Sequence, residues 1–171
     1  PLLVKPNIGG TGALIERFPK SRFVPDAWMA VGEYWFEKAT GDARAKNLKK
    51  ALGAYQKAAE YQESSVYGYA LYKQAWVHYN LAAWSEALDL FRAVIFFGEL
   101  PTANVPADRK LALVKEARKD YVRTYSHVGS AEGAADEFKR VGGGANWLEM
   151  LRSLAGIFYE EGKDRDAIVV Y

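Results

Sequence analysis

Four aromatic side chains, Tyr69, Tyr72, Trp76 and Tyr79, recur at steps of three, four and three residues. On an α-helix that spacing puts all four on one face. Such a stripe can floor a groove for a partner segment, with Tyr and Trp as rigid anchors. It can also pack against an adjoining hairpin or the Gly98–Pro106 insertion. Downstream, Lys115, Lys119 and Arg123 follow at four-residue steps, and the stretch from Asp108 to Arg123 holds six basic and three acidic residues. That strip suits a carboxylate or an acidic peptide beside the ring floor. Its alternative is a solvated helix face on which Glu116 and Asp120 balance part of the charge.

Other polar groups point away from catalysis. No residue is cysteine, which excludes thiolate chemistry, disulfides and cysteine-ligated metal. His78 falls at a core-facing position and His127 near a helix end. Neither has a local carboxylate at ligand spacing, so no metal site is expected. Asp164 with Asp166, and Glu160 with Glu161, read as solvated charges near a turn; nothing buries them or separates their roles as acid and base. Gly142-Gly143-Gly144 lacks the Lys-Ser/Thr of a phosphate loop and reads as a chain break. We therefore expect no enzyme, no catalytic residue and no cofactor. A net charge of +2 over 171 residues is too small to draw nucleic acid by bulk attraction. No apolar run approaches the ~18–20 residues of a membrane-spanning helix. Because the chain starts at Pro1 and its helical pattern runs up to Tyr171, it is expected to be a fragment whose partners include the remainder of a longer chain.

The elements that must position these residues are marked by a recurring phrase. A compact residue is followed by a ring, then an alanine, then a second ring: Gly32, Trp35, Ala51, Tyr55; Ala75, His78, Ala87, Phe91; Val122, Tyr125, Ala134, Phe138; Ala155, Phe158, Ala167, Tyr171. The interval from compact residue to alanine is 12 in the last three copies and 19 in the first. Small residues let antiparallel helices approach, and nearby rings fill the space between hairpins. The pattern predicts a leading segment over 1–25 with a short helix, repeats over 26–61, 66–97, 108–141 and 147–171, and an insertion over 98–107. The seven-residue excess of the first copy predicts hairpin arms longer by two turns in the same packing register. Thr11, Asp26, Asp42 and Ser85 are the expected helix caps.

The phrase resembles the tetratricopeptide repeat. Trp28, Val31, Gly32 and Trp35 match the family's opening Trp, Leu, Gly and Tyr. The stretch from Leu71 to Leu81, continued by Trp84-Ser85-Glu86-Ala87-Leu88, is the closest copy. Leu154-Ala155, Phe158-Tyr159, Gly162 and Ala167 mark the last. His78 and Val122 depart from the pattern. The resemblance implies an all-α fold, a right-handed superhelical stack of antiparallel hairpins, and a non-catalytic scaffold that binds a protein or peptide. Its inner surface would be made by Met29, Glu33 and Phe36, by Tyr69, Tyr72, Trp76 and Tyr79, by Lys119, Arg123 and Ser126, and by Arg152 and Tyr159. Tyr72 and Trp76 stand where the family's carboxylate clamp has Lys and Asn, so a chaperone-tail clamp is not expected. The linker Arg17-Phe18-Pro19-Lys20-Ser21, with Pro25 and Ala27, is similar to those of bacterial envelope repeat proteins, such as outer-membrane assembly lipoproteins and coordinators of wall synthesis with constriction. It favours a periplasmic or cell-envelope location. The alternative role is a structural spacer that makes contacts through outer faces and array ends.

Overall fold

A computed structural model describes residues 10–101 and 104–171. Residues 1–9 of the leading segment and 102–103 of the 98–107 insertion lie outside the described residues. Within them the secondary structure is entirely helical: α1 (Thr11–Arg17), α2 (Val24–Glu37), α3 (Arg44–Ala59), α4 (Tyr67–Asn80), α5 (Trp84–Phe97), α6 (Ala107–Val128), α7 (Ala134–Gly142), α8 (Asn146–Glu160) and α9 (Asp164–Val170). A short 3₁₀ turn, Gly41–Ala43, precedes α3.

The helices gather into two compact units, one of residues 10–83 with 104–106, the other of Trp84–Pro101 with Ala107–Tyr171. The division falls between α4 and α5, inside the segment 66–97. In the first unit α1 packs on α2, α2 on α3, and α3 on α4. Its core is built from Val24, Trp28, Val31, Leu48, Ala51, Tyr55, Ala70 and Val77. In the second, α5 packs on α6, α6 and α7 on α8, and α8 on α9. Phe91, Ile95, Tyr121, Val122, Phe138 and Leu154 fill its interior.

The small residues of the phrase do what their size permits. Ala51, Ala75, Ala87 and Ala134 are fully buried. At Gly32 a Cβ would overlap the Tyr55 ring, so the missing side chain is what lets that ring lie on α2. The rings behave alike until the last copy: Tyr55, Phe91 and Phe138 are fully buried, whereas Tyr171 is 97% exposed.

Two local expectations are corrected. The excess of the first copy does not lengthen both arms. α2 ends five residues beyond Gly32, as α4 does beyond Ala75. The surplus instead gives α3 one extra turn ahead of Ala51 and a longer 38–43 connection containing the 3₁₀ turn. Asn47 anchors that connection, donating from Nδ2 to the Lys38 carbonyl at 2.7 Å. The caps also differ. Thr11, Asp26 and Ser85 lie inside the first turns of α1, α2 and α5, and Asp42 lies in the 3₁₀ turn. The flanking residues Phe23, Ala43, Val66 and Ala145 are already in the right-handed helical region. An N-cap side chain reaches back only from extended backbone, so these helices start as continuations of turns. Asp26 still favours its helix by lying near the positive end of the dipole.

Gly32 and Gly156 give a paired test of this packing. Both are helical, and alanine is the better helix former by about 1 kcal/mol. At Gly32 the overlap with Tyr55 should outweigh that gain, so Gly32→Ala is expected to lower urea-unfolding stability by about 1–3 kcal/mol. At Gly156 nothing lies within 4 Å of the added Cβ, so Gly156→Ala should leave stability equal or raise it by up to about 1 kcal/mol. Equal behaviour of the two variants would contradict the packing described.

Candidate functional site

In the first unit α2, α3 and α4 bring Glu33, Phe36 and Tyr69 around one cation, Lys73. Its Nζ lies 3.1 Å from Glu33 Oε2. It also sits 4.4 Å from the centre of the Phe36 ring, 5.8 Å from Tyr55 and 5.9 Å from Tyr69. Tyr55 completes the group by donating its hydroxyl to Glu33 Oε1 at 2.9 Å. An ammonium held over several ring faces is attracted by their quadrupoles, and more strongly where water is excluded. Lys73 has a side chain only 13% exposed. Burial, reinforced by the charge of Glu33, pushes the Tyr55 phenol far above its ordinary pKa; the same two causes raise Tyr69 less.

The stripe on α4 continues from this group as two ring pairs. Tyr69 and Tyr72 stack with centroids 6.2 Å apart and planes 22° from parallel. Trp76 and Tyr79 meet edge to face at 5.1 Å. Tyr69 is exposed, while Tyr72, Trp76 and Tyr79 are half-buried. At the far end of α4, Asn80 donates to the Trp76 carbonyl at 2.8 Å and accepts from Arg44 at 2.9 Å. Among the expected inner-surface residues of this unit, Met29 is corrected: it is 6% exposed and belongs to the core cluster with Ile15, because α1 covers that side of α2. His78, read as a core residue, is only half-buried.

In the second unit Lys119 and Arg123 are both exposed on α6. Lys119 pairs with Glu116 at 2.9 Å, and Arg123 with the buried Asp120 at 3.2 Å. Ser126 is buried and turns its Oγ back to the Arg123 carbonyl, so it presents nothing outward. A cleft of about 500 Å³ lies between α6 and α8, lined by Lys115, Arg118, Lys119 and Glu149 with Leu111, Val122 and Met150 among its apolar walls. Arg123 does not line it. Arg152 and Tyr159 instead border a mostly apolar cleft of about 510 Å³ between α8 and α9, with Ile168 and Tyr171.

Lys73 and Arg118 were not singled out from sequence. Lys73 follows Tyr69 by one helical turn, a readable spacing for a cation over a ring. Arg118 falls outside the Lys115, Lys119, Arg123 series because strict four-residue steps drift around a helix of 3.6 residues per turn. The alternation Lys115, Arg118, Val122 stays on the cleft side.

A second polar network crosses from α5 to α7. Arg92 bonds Glu137 at 3.0 Å and the Tyr121 hydroxyl at 3.2 Å, Tyr121 donates to Glu137, and Arg140 closes on the same carboxylate. Trp84 stacks on His127 with centroids 4.1 Å apart. Among the described residues no helix is long and apolar enough to cross a membrane, and no group of three or more His, Cys, Asp or Glu is placed to hold a metal ion. In comparisons with known proteins, no family model, curated protein or solved structure matches this chain.

The Glu137 network makes acid stability measurable. Burial alone would raise the Glu137 pKa, but the Tyr121 hydrogen bond and the charges of Arg92 and Arg140 outweigh it and hold the carboxyl below its usual range. Stability from this group is therefore present above about pH 4.3, the ordinary Glu value. It is lost as pH falls through the lowered native value. Thermal melts at pH 7 and pH 3 should show a lower midpoint for Glu137→Gln at pH 7 and a smaller gap between the two pH values than in the wild type. An unchanged gap would remove Glu137 from the account of acid unfolding.

Proposed function

We propose that this chain is a non-catalytic protein–protein interaction scaffold of the tetratricopeptide-repeat type, which binds a peptide segment or partner domain. The observation that carries the reading is the ring face of α4, where Tyr69, Tyr72, Trp76 and Tyr79 form two ordered pairs with exposed or half-buried edges. Paired rings with restricted rotamers lose little entropy on binding and offer large amphipathic contact area. The Lys73–Glu33 pair lies beside Tyr69 and fixes the start of the stripe. The helix-on-helix packing and the buried small residues support the repeat assignment. The Arg17–Ser21 linker supports a place in a bacterial envelope assembly.

A spacer role is the second reading, and one observation favours it. Tyr159, Ile168 and Tyr171 are 73%, 76% and 97% exposed on α8 and at the end of α9. Contact made through this face of α8 and α9 would use them.

The two readings separate by mutation. Tyr72→Ala with Trp76→Ala should weaken partner capture from the native extract at least tenfold, in keeping with the ~2 kcal/mol or more typical of aromatic anchors. Tyr159→Ser with Ile168→Ser should leave capture intact. The reverse result would favour the spacer, and capture unchanged in the first pair would sink the aromatic-groove reading. Thermal melts of each variant show that loss of capture is not loss of fold.

A further inference from the structure

We infer that the cleft between α6 and α8 is a binding site for an acidic peptide segment that carries an apolar side chain. The inference rests on the reading of the chain as a peptide-binding scaffold and adds the ligand's chemistry and position. Three cations line the cleft, Lys115, Arg118 and Lys119, against one lining carboxylate, Glu149. Lys119 is partly neutralised by Glu116, which lies on its own helix.

Arg118 carries the argument furthest. Its Nε is shut off from solvent and has no hydrogen-bond acceptor among the described residues. A guanidinium donor that is desolvated but unpaired is costly to maintain, and native structures leave such groups where a ligand, ion or water completes them. Arg118 lies at the wall of a cleft large enough for several residues of peptide. Its planar fork matches a carboxylate with two parallel hydrogen bonds.

The rest of the lining narrows the ligand. Leu111 is 70% exposed, while Val122 and Met150 lie behind it, packed into the protein at 1% and 4% exposure. A ligand that pairs with the cations and covers Leu111 needs a carboxylate next to an aliphatic or aromatic side chain. α8 adds its positive end: Asn146 and Glu149 in its first turn line the cleft, and no side chain caps it. The helix dipole there favours an anion. A nucleic acid would leave the apolar walls unused, and the chain's net charge of +2 provides little long-range attraction for one. The carboxylate can be a Glu or Asp side chain or a chain terminus.

Fluorescein-labelled octapeptides of Glu and Leu, each made with a free and an amidated C-terminus, test this by fluorescence anisotropy. Saturable binding is expected, with at least a tenfold loss when Gln replaces Glu in the peptide. Lys115→Gln with Arg118→Gln should weaken binding at least tenfold, and Glu149→Gln should tighten it. Lys115→Gln alone changes an exposed side chain and guards against a folding artefact; it should weaken binding severalfold with an unchanged melt. The Leu111 methyl resonances should shift on titration. A preference for the free terminus assigns the carboxylate to a chain end, and equal affinity assigns it to side chains. No saturable binding of any acidic peptide, binding unaffected by the double substitution, or an oligonucleotide bound as tightly as the peptides would overturn the inference. If capture of protein partners depends on Tyr72 and Trp76 while acidic peptides do not bind at α6–α8, the scaffold reading stands and this site does not. If the peptides bind here but no protein is captured, the opposite holds.

Discussion

A ring laid against a residue with no side chain sets how closely α2 and α3 approach. Tyr55 is fully buried and lies where a Cβ of Gly32 would be. Its hydroxyl must then find a partner inside the helix pair, and Glu33, the next residue on α2, supplies it. Once Glu33 is oriented by Tyr55, its second oxygen is available to Lys73 from α4. The position of the cation under Phe36 and Tyr69 thus follows from a contact made one layer deeper. The second unit uses close approach too: a Cβ at Gly142 would meet Met150 Sδ and the Trp147 backbone nitrogen, each at 2.9 Å.

The surfaces of the two units differ because their charges are handled differently. Around α4 the cation is internal, held by Glu33 and covered by rings, so what is presented outward is aromatic. Along α6 Lys115, Lys119 and Arg123 are exposed, and Arg118 is half-buried. There Arg123 is tied to the buried Asp120, whereas Lys115 and Arg118 line the α6–α8 cleft.

Helix identity and the buried face were legible in the sequence because they depend on local periodicity. Gly32, Ala51, Ala75, Ala87 and Ala134 identified the tight contacts, since small side chains at a fixed interval have little other use. The ring stripe on α4 was legible for the same reason. Helix starts were not: Asp42 falls in a 3₁₀ turn that runs on into α3, so the backbone before that helix is already helical, and Ser85 lies inside α5, one residue past its start. Pairs across elements were also hidden. Tyr55 with Glu33, and Lys73 with both Glu33 and Phe36, depend on the rotation of one helix relative to another, and no spacing along the chain encodes it. The exposure of Tyr171 escaped the pattern because burial of a repeat's second ring depends on what lies against it.

Tyr55 and Tyr121 have a shared consequence at alkaline pH. Both are fully buried phenols that donate to a carboxylate, and burial, with the nearby negative charge, holds each above its ordinary pKa. The folded state therefore favours the neutral phenol, and the stability this confers is complete below about pH 10, the ordinary Tyr value, and fades as pH rises toward the elevated native values. Each unit has one such proton, Tyr55 in the first and Tyr121 in the second. Base can strip these protons readily only as the helices separate, so the phenolate absorbance of Tyr55 and Tyr121 reports unfolding, while exposed phenols such as Tyr159 and Tyr171 titrate at the surface.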